Sequence, residues 1–311
     1  MLSVGSLCTG YGGLEMGLQA VFGDIDLRFV SDIDKDVNKL LQHHHPTVTN
    51  LGDLTVVKWA DIEPVDVLCA GYPCQPFSHA GERKGLEDER AIFEYIGDAI
   101  SVLRPRNVFL ENVAGHLTLG GTAVIGTLTR LGYNAKWGIV RASDTGAPHQ
   151  RKRLFIWAET ADTYSKRLQR HDEKRTASVS GDVPRRQVET TESYKPFVAD
   201  AASVGLQEFW SGVGLGEKIG EACKSGFFGS YEPAIRRWEL ITNSACPTPT
   251  DDKGVEPAFV EWIMGLSQDY VTGIGLSRTA QLRILGNGVV PQQAALALHL
   301  LAERGYYAKT A

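Results

Sequence analysis

The residue whose surroundings promise chemistry is Cys74. It stands in the run Ala70-Gly71-Tyr72-Pro73-Cys74-Gln75-Pro76-Phe77-Ser78, directly after the apolar stretch Val65–Ala70. That stretch is short, branched and bounded by Gly and Pro, which predicts a buried parallel strand. In open α/β sheets the carboxyl ends of the strands are where ligands bind. A thiol delivered there in a polar loop is a candidate nucleophile; the plainer alternative is a small buried hydrophobe in a turn. Glu111-Asn112-Val113 closes the next expected strand, Asn107–Glu111. Neighbouring strand ends share one crevice, so Glu111 would face Cys74. A thiol hydrolase would want a histidine partner. A carboxyl suits a different task, holding and protonating a ring nitrogen while sulfur adds to the ring; taken alone it reads equally well as a surface glutamate. Arg151 and Arg153 precede the run Leu154–Ala158. Two apart on a strand, they point to one face, either to bind ring oxygens or as a solvated basic cluster.

A second constellation lies near the start. Gly10-Tyr11-Gly12-Gly13 follows an apolar run and opens a helical one, and Asp32 closes the next strand. Glycines there permit a tight turn and close ligand approach. An acid at the second strand end typically takes ribose hydroxyls. The order points to an adenosine-bearing cofactor, while the missing Gly-x-Gly-x-x-Gly spacing leans away from a pyrophosphate. Gly52-Asp53 adds an acid that could reach an adenine amino group. Gly286-Asn287-Gly288-Val289-Val290-Pro291 reads as a turn opening the last helix.

The elements that must position these residues follow from periodicity. Strands are expected at Leu2–Leu7, Leu27–Ser31, Val65–Ala70, Asn107–Glu111, Ala135–Val140 and Leu154–Ala158. Helices are expected at Leu14–Phe22, Asp34–His43, Ala91–Leu103 and Thr122–Leu131. This alternation predicts an α/β fold with a doubly wound, mostly parallel sheet. After Ala158 the chain turns polar through residues 160–195, as a solvated linker would. Residues 197–245 are rich in aromatics and glycine, as in a small packed unit with loops. Helical spacing returns at Ala258–Leu266 and Pro291–Arg304.

Composition sets limits. The 311 residues are 43% hydrophobic and 22% charged, enough for a sizeable core. Neither a signal peptide nor a membrane span is expected. The five cysteines include no Cys-x-x-Cys pair, which implies a reducing compartment with neither a disulfide framework nor a metal site. The net charge of −5 is mild evidence against a nucleic-acid partner. Charge is uneven, however: residues 141–195 carry 12 Lys and Arg against 8 Asp and Glu. Such a patch can serve a phosphate backbone.

Together these stretches resemble the cytosine-5 DNA methyltransferase family. Ala70–Ser78 is similar to its Gly-Phe-Pro-Cys-Gln-x-Phe-Ser loop, and Glu111–Val113 to its Glu-Asn-Val element. Gly10–Gly13 resembles its cofactor loop, and Gly286–Pro291 its final Gly-Asn-x-Val-x-Pro element. The resemblance covers roughly residues 1–160 and 255–311. Three departures stand out. Cys8 replaces a frequent Phe, His149 stands where the family's Gln-x-Arg-x-Arg run has Gln, and the Arg-rich segment is barely recognisable around Thr248–Asp251.

The resemblance implies a Rossmann-like methyltransferase fold, S-adenosylmethionine as cofactor and double-stranded DNA as partner. It implies Cys74, Glu111, Arg151 and Arg153 as catalytic residues. Cys8, Gly10, Tyr11, Gly12, Gly13, Asp32, Ile33, Asp53, Pro73 and Asn287 would hold the cofactor, and Gln75, Ser78 and Arg83 would meet DNA. Residues 1–160 would form the catalytic domain, 161–250 a smaller target-recognition domain, and 251–311 the return to the catalytic domain. A cytoplasmic monomer acting on prokaryotic or phage DNA is expected, with a cognate restriction endonuclease acting separately. Cytosine methylation in tRNA and a non-catalytic nucleic-acid binder are the rival readings; the large insertion after Ala158 favours DNA.

Overall fold

The computed structural model describes residues 1–73, 85–161, 197–198 and 228–302. Cys74, Gln75, Ser78 and Arg83 therefore lie outside the described residues, as does most of the expected target-recognition segment.

The first half alternates strand and helix. Its elements are β1 (Leu2–Leu7), α1 (Gly13–Phe22), β2 (Ile25–Val30), α2 (Lys35–His44), β3 (Thr49–Asn50), β4 (Val67–Gly71), α3 (Gly85–Leu103) and β5 (Asn107–Val113). Then come α4 (His116–Leu119), α5 (Gly121–Arg130), β6 (Tyr133–Val140) and β7 (Arg153–Thr160). Local chemistry sets several starts. The Asp34 side chain caps α2 by accepting from the Asp36 and Val37 amides at 2.9 and 3.2 Å. Gly12 opens α1 in the left-handed region, φ 87°, where a side chain would be strained.

After β8 (Phe197–Val198) come α6 (Glu232–Thr242), a hairpin of β9 (Thr250–Asp251) and β10 (Gly254–Val255), α7 (Pro257–Ile263), α8 (Arg278–Asn287) and α9 (Pro291–Ala302). Pro257 and Pro291 stand at helix starts, where the missing N–H costs nothing. Gly286 and Asn287 end α8 rather than opening the last helix, which corrects the turn expected there.

The main sheet has the order β3-β2-β1-β4-β5-β7-β6-β8. Five neighbouring pairs are parallel, and β7 is antiparallel to both β5 and β6. The mostly parallel, Rossmann-like sheet is thus present, with one reversed strand. β7 begins beside the carboxyl end of β5, with Arg153 opposite Val113. It ends beside the amino ends of its neighbours, with Glu159 opposite Asn107 and Thr160 opposite Tyr133.

Apolar clusters cover both sheet faces. One joins Leu7, Leu68 and Leu110 to Ile96 and Ile100 of α3. The opposite face packs Val4, Cys69 and Phe109 against Leu18 of α1 and Leu298 of α9. A third cluster joins Tyr11, Val30 and Ala142 to Trp238 of α6 and Trp262 of α7. The range 161–250 therefore does not stand apart as a whole: its last part, α6, is built into the core. Trp238 is fully buried and donates its indole N–H to the Trp262 carbonyl at 2.9 Å.

Candidate active site

The carboxyl ends of β1, β2, β4 and β5 open onto a cavity of about 460 Å³. Its floor is made by adjacent strand ends: Gly71 of β4 pairs in register with Glu111 of β5. Pro73, two residues beyond, is the last described residue before Cys74. Reversal of β7 brings Arg153 to the same edge, where its Nε lies 3.0 Å from Glu111 Oε1. Glu111 and Arg153 both line the cavity. Burial pushes the Glu111 carboxyl up to about 7, with Arg153 and then Arg151 pulling the other way. A carboxyl that titrates near neutrality can both accept and supply a proton.

Arg151 is placed differently. Its Nη2 donates to the carbonyls of Gly286 and Gly288 at 2.8 and 2.6 Å, and it does not line the cavity. It fastens the α8–α9 connection to the loop before β7. Gln293 reinforces the joint by donating to the carbonyls of Val140 and Arg151 at 2.8 and 2.7 Å.

The glycine loop forms the cavity's other wall. Cys8, Gly10 and Gly13 line it with Asp32, Ile33, Asp53, Pro73 and Asn287. Asp32 Oδ2 accepts from the Gly10 amide at 3.0 Å and Oδ1 from the Asp34 amide at 2.9 Å, which ties the acid to the loop. Burial is the largest influence on Asp32 and raises its pKa, against those hydrogen bonds. Asp53 is exposed, and its Oδ1 accepts from the Thr55 amide and hydroxyl. The Cys8 thiol is pushed up to about 12, first by burial and then by Asp32, so it stays neutral. Tyr11 and Gly12 sit behind the lining. The Tyr11 side chain is buried and its hydroxyl donates to the Val289 carbonyl at 2.7 Å.

Four contributors were not singled out in the sequence. Asn112 donates to the Tyr72 carbonyl at 3.2 Å, and the Tyr72 hydroxyl lies 2.9 Å from His116 Nε2. Both contacts pin the backbone just before Pro73. Tyr72 and Asn112 belong to the noted motifs, so only their roles were hidden. Arg283 lines the cavity and pairs with Asp34 and Asp36; nothing local in the sequence marks it. Glu15 lines the cavity from the first turn of α1.

Comparison with known proteins decides the family. The model of the family described as C-5 cytosine-specific DNA methylase matches residues 2–297. The chain belongs to that family. Among curated relatives of this methylase-family chain, it is 36% identical over 162 residues to the type II methyltransferase M.NlaX of Neisseria lactamica. That match covers 50% of this chain and 51% of M.NlaX. It is 30% identical over 302 residues to the type II methyltransferase M.MspI of Moraxella sp, covering 91% of this chain and 66% of M.MspI. The matched parts thus amount to about half and just under two thirds of these relatives. In fold it is similar to the Dnmt2 methyltransferase of S. pombe, with TM-score 0.57 and 16% identity over 96% of this chain and 99% of that one. It is also similar to a putative DNA modification methyltransferase encoded within an E. coli prophage, with TM-score 0.58 and 17% identity over 96% and 97%.

Proposed function

We propose that this chain transfers a methyl group from S-adenosylmethionine to carbon 5 of cytosine in a specific sequence of double-stranded DNA. The observation that carries the reading is the Glu111–Arg153 pair, 3.0 Å apart, in the cavity lined by the glycine loop and Asp32. It stands beside the end of β4, the strand that runs on toward Cys74. The cavity suits the cofactor. Its volume of about 460 Å³ falls within the range of small-molecule sites. Gly10 has φ 57° and nothing within 4 Å of where a Cβ would stand, so a ligand can approach its backbone closely. Ile33, 73% exposed, offers an apolar face for an adenine ring, while Asp32 and Asp53 offer acceptors for ribose hydroxyls and the adenine amino group. When bound, S-adenosylmethionine supplies an electrophilic methyl group.

The chain's own residues would do the rest. The Cys74 thiolate adds to carbon 6 of cytosine, forming a C–S bond. The electrons of the 5,6 double bond are drawn through the ring toward nitrogen 3, which takes the Glu111 proton. Arg153 holds the ring carbonyl oxygen, with Arg151 fixing the loop behind it. Carbon 5, now an enamine carbon, takes the methyl group. Water then takes the carbon 5 proton, nitrogen 3 returns its proton to Glu111, and the re-formed 5,6 double bond expels the Cys74 thiolate. Carbon 6 is out of reach inside a stacked duplex, so the base must be flipped out, at a cost of roughly a few kcal/mol. Gln75, Ser78 and Arg83 would meet DNA from the loop after Cys74. The segment from 161 toward 228 would select the sequence, with α6 left to the core. A monomer in a prokaryotic cytoplasm, with a cognate endonuclease acting separately, fits this reading.

The test is covalent trapping. Duplex DNA carrying 5-fluorocytosine should form a denaturation-resistant adduct with the wild type in the presence of cofactor, and none with Cys74→Ser. Turnover on ordinary DNA should fall more than about a hundredfold in that variant. Adducts on RNA but not on DNA would move the substrate class. Absence of any adduct would remove the covalent mechanism.

A further inference from the structure

The charge balance of the cavity leaves one acid unexplained. Five acids and two arginines line it. Arg153 pairs with Glu111, and Arg283 with Asp34. Asp32 accepts from two backbone amides, and Asp53 from Thr55. Among the described residues Glu15 has only uncharged neighbours, and one of its oxygens meets none of them. It is 6% exposed; its Oε1 accepts from the Cys69 thiol at 3.3 Å, Ser6 and its own backbone amide also hydrogen-bond the carboxyl, and its Oε2 is buried with no hydrogen-bond partner. Among the described residues no Lys, Arg or His pairs with it. The residues acting on it are Ser6, Cys69 and Tyr270, all uncharged at neutral pH. Glu15 Oε2 lies beneath the glycine loop: a Cβ on Gly12 would stand 3.7 Å from it.

A buried carboxyl oxygen without a partner is destabilising, the more so when ionised. Such a group is kept where something arrives to satisfy it. Burial raises the Glu15 pKa, so the donor that satisfies it best is one whose positive charge also offsets the burial of the carboxylate. S-adenosylmethionine has two cations, but only its α-ammonium donates; the sulfonium has no hydrogen to give. Resting on the cofactor reading above, we propose that Glu15 is a cofactor-binding residue whose carboxylate receives the α-ammonium of the amino-acid end of S-adenosylmethionine. The adenosine end would then lie toward Asp32 and Ile33, and the amino-acid end toward α1.

The test is calorimetric titration of the full chain with two ligands. S-adenosylhomocysteine carries the ammonium, whereas 5′-methylthioadenosine keeps the nucleoside and sulfur but lacks the amino-acid group. Glu15→Gln should bind S-adenosylhomocysteine about tenfold or more weakly, the usual loss for a hydrogen bond to a charged group. Its affinity for 5′-methylthioadenosine should stay within about twofold. Equal weakening toward both ligands, or no change toward either, would make Glu15 a structural residue and overturn the proposal. If Glu15→Gln does not fold, Glu15→Asp takes its place, since it keeps the charge but withdraws it by one methylene. A loss confined to S-adenosylhomocysteine is again required, and a uniform or unchanged response overturns the proposal. A wild type that binds neither ligand would remove the cofactor reading itself, and this inference with it.

Discussion

Burial is the first influence on Glu111, and it outweighs the two nearby arginines. The folded state therefore holds this proton more tightly than the unfolded chain, whose glutamate titrates near 4.5. Its contribution to stability is full below that value and is lost as the pH rises through about 7. This is opposite in sign to an ordinary salt-bridged surface carboxylate. Urea denaturation should show the wild type losing of order 3 kcal/mol relative to Glu111→Gln between pH 4.5 and 8. A gap that stays constant across that window would mean Glu111 is ionised throughout. The neutral Cys8 thiol gives a second expectation. Alkylation at pH 7.5, mapped by mass spectrometry, should leave Cys8 and the buried Cys69 unmodified, because burial raises both pKa values. At this scale Glu111, Asp32 and Arg153 were legible because each stands in a short motif beside a strand end. The contacts of Tyr11 and Arg151 were not, because their carbonyl partners lie 278 and 135 residues away.

β1, β2, β4 and β5 with α1, α2 and α5 were legible to within two residues, β1 at both ends, because buried apolar runs alternate with amphipathic ones. α3 starts six residues before the expected Ala91, and the two-residue strands β3 and β8 were not expected. Reversal of β7 was not, since a fully buried strand reads the same in either direction. α6 and α8 were passed over as well. Glycine and aromatic residues before α6 masked its periodicity, and the apolar face of α8 is narrow, with Ala280, Ile284 and Leu285 buried. Two elements depend on close approach. A Cβ on Gly13 would collide with the Val289 carbonyl, so the glycine loop and the α8–α9 connection fit only without it. Gly13→Ala should cost about 1–3 kcal/mol by overpacking and weaken nucleotide binding, both measurable by thermal shift with and without S-adenosylhomocysteine. Trp238→Ala should cost about 3–5 kcal/mol in chemical denaturation. A loss well under 1 kcal/mol would mean that α6 is not part of the core.

For the molecule as a whole, charge and topology matter most. A chain of net charge −5 repels DNA on average, so the DNA binding proposed above would have to rest on local basic residues. Arg185 and Arg186 lie outside the described residues, within the basic stretch. Changing both to Ala should weaken binding to every DNA sequence alike and reduce the salt slope by about 1.8 if each meets one phosphate. A selective loss at one sequence would instead place them against base edges. What lies between β7 and α6 was the least legible part of the sequence, because polar composition without periodicity encodes neither element nor partner. The course of β7 still constrains it. Thr160 ends at the amino edge of the sheet, opposite the cavity, whereas Gly146, beside Arg237 and Ile241 of α6, follows the carboxyl end of β6. The chain thus leaves one edge of the sheet at Thr160, adds β8 beside β6, and returns in a helix packed at the other edge, in a body also joined by Tyr11 on Val289, Arg151 on Gly286 and Gly288, and Gly17 against Ala294. The catalytic body is in effect a two-piece assembly supplied as one polypeptide. Fragments 1–180 and 181–311, made as separate chains in one cell, should complement each other and co-purify through a tag on either.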